Sequence, residues 1–192
     1  WYRIYRHPIT LFVVGPAYQF ILKHRLPVDM PLSWKREWRS VMFTNLGLIG
    51  VIALLSWAIG FKNFLMIQLP VTLIAGSFGV WLFYIQHQFE NTYWRDEPEW
   101  NYREASLQGS SYYDLPKWLN WLSGNIGVHH VHHLCSRIPN YRLHQALDEN
   151  EFLQKNVTRL TIKDSLRCVG FKLWDEKTRQ MVGFREMRTA EQ

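Results

Sequence analysis

Residues 40–61, SVMFTNLGLIGVIALLSWAIGF, and residues 63–86, NFLMIQLPVTLIAGSFGVWLFYIQ, contain no charged side chain, and Lys62 alone separates them. A helix that spans a bilayer needs about 20 predominantly apolar residues, and each run reaches that length. Two buried helices of a soluble protein would carry charge on an outer face. The runs therefore read as a transmembrane helical hairpin, with helices at about 41–60 and 64–86.

The flanks set an orientation. Arg3, Arg6, Lys23, Arg25, Lys35, Arg36 and Arg39 precede the hairpin, Arg95, Arg103 and Lys117 follow it, and the join holds one lysine. The positive-inside rule then places residues 1–39 and 87–192 in the cytoplasm. Trp34, Trp38, Tyr84, Tyr93 and Trp94 are placed as an interfacial aromatic belt on that side. The expected fold class is all-α: an integral membrane helical protein with a transmembrane hairpin and a cytoplasmic helical cap.

Composition narrows the class further. The 192 residues suit one domain. The chain opens on Trp1, with no pattern of a secretory signal, and reads as the downstream part of a longer polypeptide. Cys135 and Cys168 form neither a disulfide framework nor a zinc-type spacing. A net charge of +6 suits an acidic partner or an anionic membrane surface. Nucleic acid is not the expected partner, because the aromatics lie along apolar runs rather than among lysines and arginines.

Outside the hairpin the signals are shorter. Segment 9–24, ITLFVVGPAYQFILKH, is apolar but interrupted by Gly15-Pro16, and could be re-entrant, interfacial or packed over the domain. RDEPEWN (95–101) reads as a turn, and SSYYDLPKWLNWLSGN (110–125) as a loop leading into a short amphipathic helix. SRIPNYRL (136–143) is a turn, and residues 144–192 should hold two or three short elements, with FREMRTAEQ (184–192) fraying.

Segment 124–134, GNIGVHHVHHL, puts four histidines into five positions. Burying them unliganded is costly, and charging them together is repulsive. Neutral imidazole is a favoured ligand of zinc, copper, iron and nickel. On a helix His129, His132 and His133 share an arc of about 100°, and so do His129, His130 and His133. Periodicity leaves the choice open. His87 lies where the second spanning helix reaches the same membrane face, which makes it a further candidate ligand. Glu90, one turn on, could orient an imidazole or be a solvated helix-end carboxylate. A solvated basic-aromatic turn, a pH-sensing cluster and a b-type haem site with one axial histidine are the other readings of such a box.

At these motifs the chain resembles the membrane-bound fatty acid desaturases, in particular the bacterial acyl-lipid, omega-6-like branch. The residues that carry the resemblance are HQFENTYW (87–94), LQGSSYYDLP (107–116) and above all GNIGVHHVHHLCSRIPNYRL (124–143). It covers most of residues 1–145 and fades in the tail. The family's last H-x-x-H-H box matches His129, His132 and His133, leaving His130 as a non-ligand, and its additional histidine matches His87. Two earlier histidine boxes of the family have no counterpart, since His7, His24 and His144 stand alone.

The resemblance implies the C-terminal part of an oxygen-dependent oxidoreductase with two non-haem iron ions, incomplete and inactive as this chain alone. Its substrate would be an acyl lipid or other fatty acyl chain, given a cis double bond with dioxygen and two electrons. The donor would be a ferredoxin or a b-type cytochrome, and the setting a bacterial inner membrane with the site on the cytoplasmic side. Gln108, Ser110, Tyr112, Tyr113 and Asp114 lie in a family motif without an assigned role. The rival readings are a related di-iron hydroxylase, a small membrane protein binding haem or metal for electron transfer, and an interaction module without catalysis.

Overall fold

The computed structural model describes residues 1–26 and 28–186, so the fraying expected over 184–192 lies largely outside the described residues. The chain divides into two compact units, residues 1–81 and 82–192.

The first unit opens with the short helix α1 (Tyr2–Tyr5) and continues as a helical segment in which α2 (Gly15–Tyr18) lies between two wide π-type turns, Thr10–Val14 and Gln19–Lys23. The widened turns accommodate the missing N–H of Pro16, so Gly15-Pro16 does not end this segment. The segment packs against the hairpin. Phe12 meets Trp81 at 5.2 Å between ring centroids, and a Cβ on Gly76 would come within 2.9 Å of the Phe20 ring. Arg25 and Asn45 close the other end, the guanidinium donating to Asn45 Oδ1 at 3.1 Å and Asn45 Nδ2 to Arg25 O at 2.7 Å. Between segment and hairpin lies an apolar cavity of about 930 Å³ lined by residues such as Phe20, Leu48 and Phe64.

The hairpin is α3 (Lys35–Ile59) and α4 (Phe61–His87). Both are long and apolar enough to cross a membrane, and no described residue of α3 is buried. At about 1.5 Å per residue each exceeds a hydrocarbon core of about 30 Å. They extend beyond the uncharged runs. Lys35, Arg36 and Arg39 belong to the first turns of α3, and Lys62 sits in the first turn of α4. The join is one residue, Gly60, whose φ of 83° lies in the left-handed region that favours glycine.

The second unit begins with the last turns of α4. It adds α5 (Tyr102–Gln108), α6 (Lys117–Leu122), α7 (His129–Leu134), α8 (Leu143–Asp148), α9 (Glu151–Lys155) and α10 (Ile162–Cys168). Asn101 caps α5 by accepting from Arg103 N and Glu104 N, and Thr161 with Asp164 forms a capping box on α10. Leu107, Tyr112, Val128, Val131, Leu143, Leu147 and Leu153 make the core under the histidine box.

The protein is mostly helical, but the all-α expectation misses two small sheets. β1 (Tyr112–Tyr113) runs parallel to β2 (Arg159–Leu160), and β3 (Leu173–Asp175) pairs antiparallel with β4 (Gln180–Val182). β1 is a staple rather than a sheet. Tyr112 N donates to Thr158 O, Asp114 N to Leu160 O, and Tyr113 N, on the other side, to Gly127 O at 2.8 Å. The expected aromatic belt is also only partial. Trp34 and Trp94 are exposed, whereas Tyr84 is buried, its hydroxyl donating to Phe171 O at 2.6 Å.

Gly127 is the tightest point of this frame. A Cβ there would lie 2.6 Å from Tyr113 O and 2.7 Å from Asn120 Oδ1. Gly127→Ala is expected to destabilise the second unit by about 1–3 kcal/mol, read as a lowered thermal midpoint of the purified chain in detergent. Gly79→Ala, with nothing within 4 Å of the new methyl, should leave that midpoint unchanged.

Candidate metal centre

The site grows from the end of α4. Ile85 and Gln86 are buried, and Gln86 makes two bonds into the cap: its main-chain carbonyl accepts from Ser111 N at 3.0 Å, and its Nε2 donates to Ile126 O at 2.7 Å. The next residue, half-buried His87, is thereby presented to the segment that enters α7. His87 Nδ1 lies 2.7 Å from Phe83 O. A carbonyl only accepts, so Nδ1 carries the proton and Nε2 of the neutral ring is left as a bare lone pair.

α7 brings two more imidazoles to that lone pair. His129 and His133 are one turn apart, their Nε2 atoms separated by 3.0 Å; those atoms lie 3.3 Å and 3.0 Å from His87 Nε2. The ligand atoms of His87, His129 and His133 form one compact group. Burial first, then the neighbouring imidazoles of His87, His133, His132 and His130, push the pKa of His129 down to about 2. Burial, then His87 and His132, also lower that of His133. Both rings are thus held in the neutral form that ligates metals.

The donor set fits a transition-metal ion. Three nitrogens at about 2.0–2.1 Å from one ion lie about 3.0 Å apart when mutually perpendicular and about 3.4 Å apart when tetrahedral. The observed edges of 3.0, 3.0 and 3.3 Å fall in that interval. Hydrogen bonding alone satisfies the trio poorly. His87 Nε2 has no proton to give, so at most two of the three edges can be N–H···N bonds. An ion accepting three lone pairs would satisfy all of them.

The remaining sequence candidates fall elsewhere. His132 is half-buried outside the trio, its ring stacked on His129 at 5.7 Å between centroids and 6.0 Å from that of His133. His130 turns into the core, fully buried, its Nε2 3.2 Å from Leu153 O. Glu90 is exposed, and its carbonyl accepts from Met181 N, so the orienting of His87 falls to the Phe83 carbonyl instead. In the motif 107–116, Ser110 Oγ donates to Ser106 O, the Tyr113 hydroxyl meets Ser165 Oγ, and Asp114 pairs with Arg159 at 3.5 Å. His7 and His24 belong to the first unit, where His24 bonds Gln19.

Two residues were not anticipated from the sequence. Gln86 is one; an amide at the end of an apolar helix was its only signal. Tyr102 is the other. Its hydroxyl donates to the carbonyls of His133 and Leu134, at 2.8 and 3.0 Å, and so ties down the end of α7. The support has one gap: Nδ1 of His129 is buried without a hydrogen-bond partner among the described residues.

A helix of membrane length that ends in a pocket of three converging imidazoles defines a class, that of membrane-type helical proteins with a candidate histidine metal centre. Within that class the chain belongs to the fatty acid desaturase family, whose model matches residues 1–161. It is 44% identical over 187 residues to a fatty acid desaturase of Bacillus subtilis (strain 168), covering 97% of this chain and 52% of that protein. It is 46% identical over 55 residues to a chloroplastic omega-6 fatty acid desaturase of Glycine max, 27% of this chain and 13% of the relative. A sn-1 oleoyl-lipid 12-desaturase of Synechocystis sp. is 36% identical over 69 residues, 34% of this chain and 20% of the relative. The chain spans about half the length of the Bacillus relative. The similarity to that relative reaches into the tail, beyond the point near residue 145 where the motifs fade.

Titration of the purified chain with cobalt(II), followed by its visible absorption, tests the trio. Alanine at His87, His129 or His133 should weaken binding by more than about a hundredfold, and Gln86→Leu by about ten- to a hundredfold, the range for groups that orient a ligand. His132→Ala should leave the first ion bound.

Proposed function

We propose that this chain carries one flank of the non-haem di-iron centre of an acyl-lipid desaturase. His87, His129 and His133 hold one iron, and His132, beside them on α7, serves the second. The convergence of three Nε2 atoms within 3.0–3.3 Å of one another at the end of a membrane-length helix carries this reading. Kinship with desaturases supports it.

When bound, the irons supply redox chemistry with dioxygen that zinc, of fixed valence, does not. The overall reaction removes two hydrogens from adjacent methylenes. With dioxygen, two electrons and two protons it yields a cis double bond and two waters. The chain's own residues prepare the site. The Phe83 carbonyl fixes the His87 tautomer, burial keeps His129 neutral, and the Tyr102 hydroxyl holds the last turn of α7. If α4 spans a bilayer, a centre at its end would lie near the lipid–water boundary, a level at which an acyl chain can be reached; the membrane length of α4 supports this. In this reading the face is cytoplasmic and the membrane a bacterial inner membrane, and the excess of arginine and lysine on the flanks supports the cytoplasmic side. It also suits an acidic ferredoxin or a b-type cytochrome as electron donor.

Two irons need more ligands than four imidazoles, so the active protein draws the others from polypeptide outside these 192 residues. In that arrangement residues 1–39 and 87–192 belong, with the hairpin, to one desaturase domain.

Expression of the intact gene in a host lacking desaturases, with a ferredoxin supplied, should give lipids with a new cis double bond by gas chromatography and mass spectrometry. His129→Ala and His133→Ala should abolish that product. A hydroxylated product would reassign the reaction within the same metal chemistry. Failure to bind iron would sink the reading.

A further inference from the structure

Segment 111–126 is fastened at both ends to a single residue of α4. Ser111 N donates to Gln86 O at one end, and Gln86 Nε2 donates to Ile126 O at the other. Between these two bonds lies α6. Gln86 is the penultimate residue of a 27-residue helix. Such a helix is about 40 Å long and overshoots a hydrocarbon core of about 30 Å. Both ends of the segment that carries α6 are therefore tied to the end of α4.

α6 is also inside out. Its one amide, Asn120, points into the protein at 5% exposure, with Nδ2 donating to Leu115 O at 2.8 Å. Trp118, Trp121 and Leu122 stand outward at 63%, 76% and 64% exposure. Positions i, i+3 and i+4 fall within about 100° of arc, so the three form a single stripe. A short helix facing water would present the reverse pattern. Lys117 is exposed at the start of the same helix.

We propose that α6 is an interfacial anchor, with Trp118, Trp121 and Leu122 seated at the boundary between headgroups and acyl chains of the bilayer that α4 crosses. Indole rings favour that zone, because their body is apolar and their N–H is wet. The stripe has the chemistry of a helix lying in the membrane plane, and Lys117 reaches lipid phosphate beside it. The anchor shares its loop with the histidine box: Asn125 and Ile126 lead directly to Gly127 and His129. It therefore sets the depth of that loop against lipid. The proposal depends on α4 spanning a bilayer and is independent of the metal.

The full 192-residue chain, reconstituted in phosphatidylcholine–phosphatidylglycerol vesicles, tests it by site-directed spin labelling. Cys135→Ser removes the exposed thiol, while Cys168 is buried. Trp118→Cys and Trp121→Cys then take nitroxides at exposed positions that need not disturb folding. Power saturation should show collision with oxygen exceeding collision with a water-soluble nickel chelate several-fold at both positions, and the reverse at Glu151→Cys. Dominant collision with the nickel chelate at 118 and 121 would mean that α6 faces water and would overturn the anchor. An immobile label shielded from both reagents would also overturn it, since protein, whether a second copy or another polypeptide, would then cover the stripe. A label at Leu54→Cys on α3 separates the two premises. If it too reports water, the spanning reading fails and the anchor with it.

Discussion

The two hydrogen bonds of Gln86 couple the membrane helix to the cap, and the rest of the second unit is arranged around that coupling. One bond uses the main chain and the other the side chain, so the end of α4 is held to Ser111 and Ile126 at once. The amide is almost wholly buried. A lost partner would leave a desolvated polar group, a cost of about 1–3 kcal/mol. The coupling therefore acts both on stability and on geometry. His87 follows Gln86 directly, and His129 stands three residues after Ile126. The relative position of two candidate ligands from distant parts of the sequence thus depends on one glutamine.

The hairpin was legible because a bilayer imposes a crude rule, about 20 residues without charge. Its boundaries were less so. Charged residues mark where hydrocarbon ends, not where a helix ends. α3 runs back through Arg39, Arg36 and Lys35, because exposed charged side chains do not interrupt a helix whose backbone stays hydrogen-bonded. Gly60, not Lys62, makes the join, through a backbone conformation that charge counting does not see. The π-type turns around Pro16 are likewise a matter of backbone bonding. Composition could suggest an interruption there, but not that the helix would continue past it.

The two small sheets had no legible signal, since ladders of two or three residues are too short to show alternation. Tyr84 illustrates a related blindness. Beside Phe83 near the end of an apolar helix it suits a membrane belt, yet its hydroxyl is taken by Phe171 O, a group 87 residues away. Tyr102, held to the end of α7 from another helix, was invisible for the same reason. Local pattern reports what a residue is suited to. Only the tertiary fold reports which of several suitable environments it receives.

The histidine box shows how that degeneracy is lifted. Within α7, His130 and His132 lie on either side of His129, about 100° and 60° away, while His133 is about 40° from it. Periodicity admits either flanking residue into a group of three. The choice is made by the direction from which His87 arrives and by what occupies the opposite side. His87 meets His129 and His133, with ring centroids 4.7 and 5.1 Å away, and Leu153 O takes the ring of His130. Adjacent imidazoles thus meet opposite demands. His129 must offer a lone pair toward its neighbours, whereas His130 donates its Nε2–H into the core. Burial lowers the pKa of His130 to about 4. The ring therefore stays uncharged in the core next to a site suited to a cation, where a second positive charge would oppose binding.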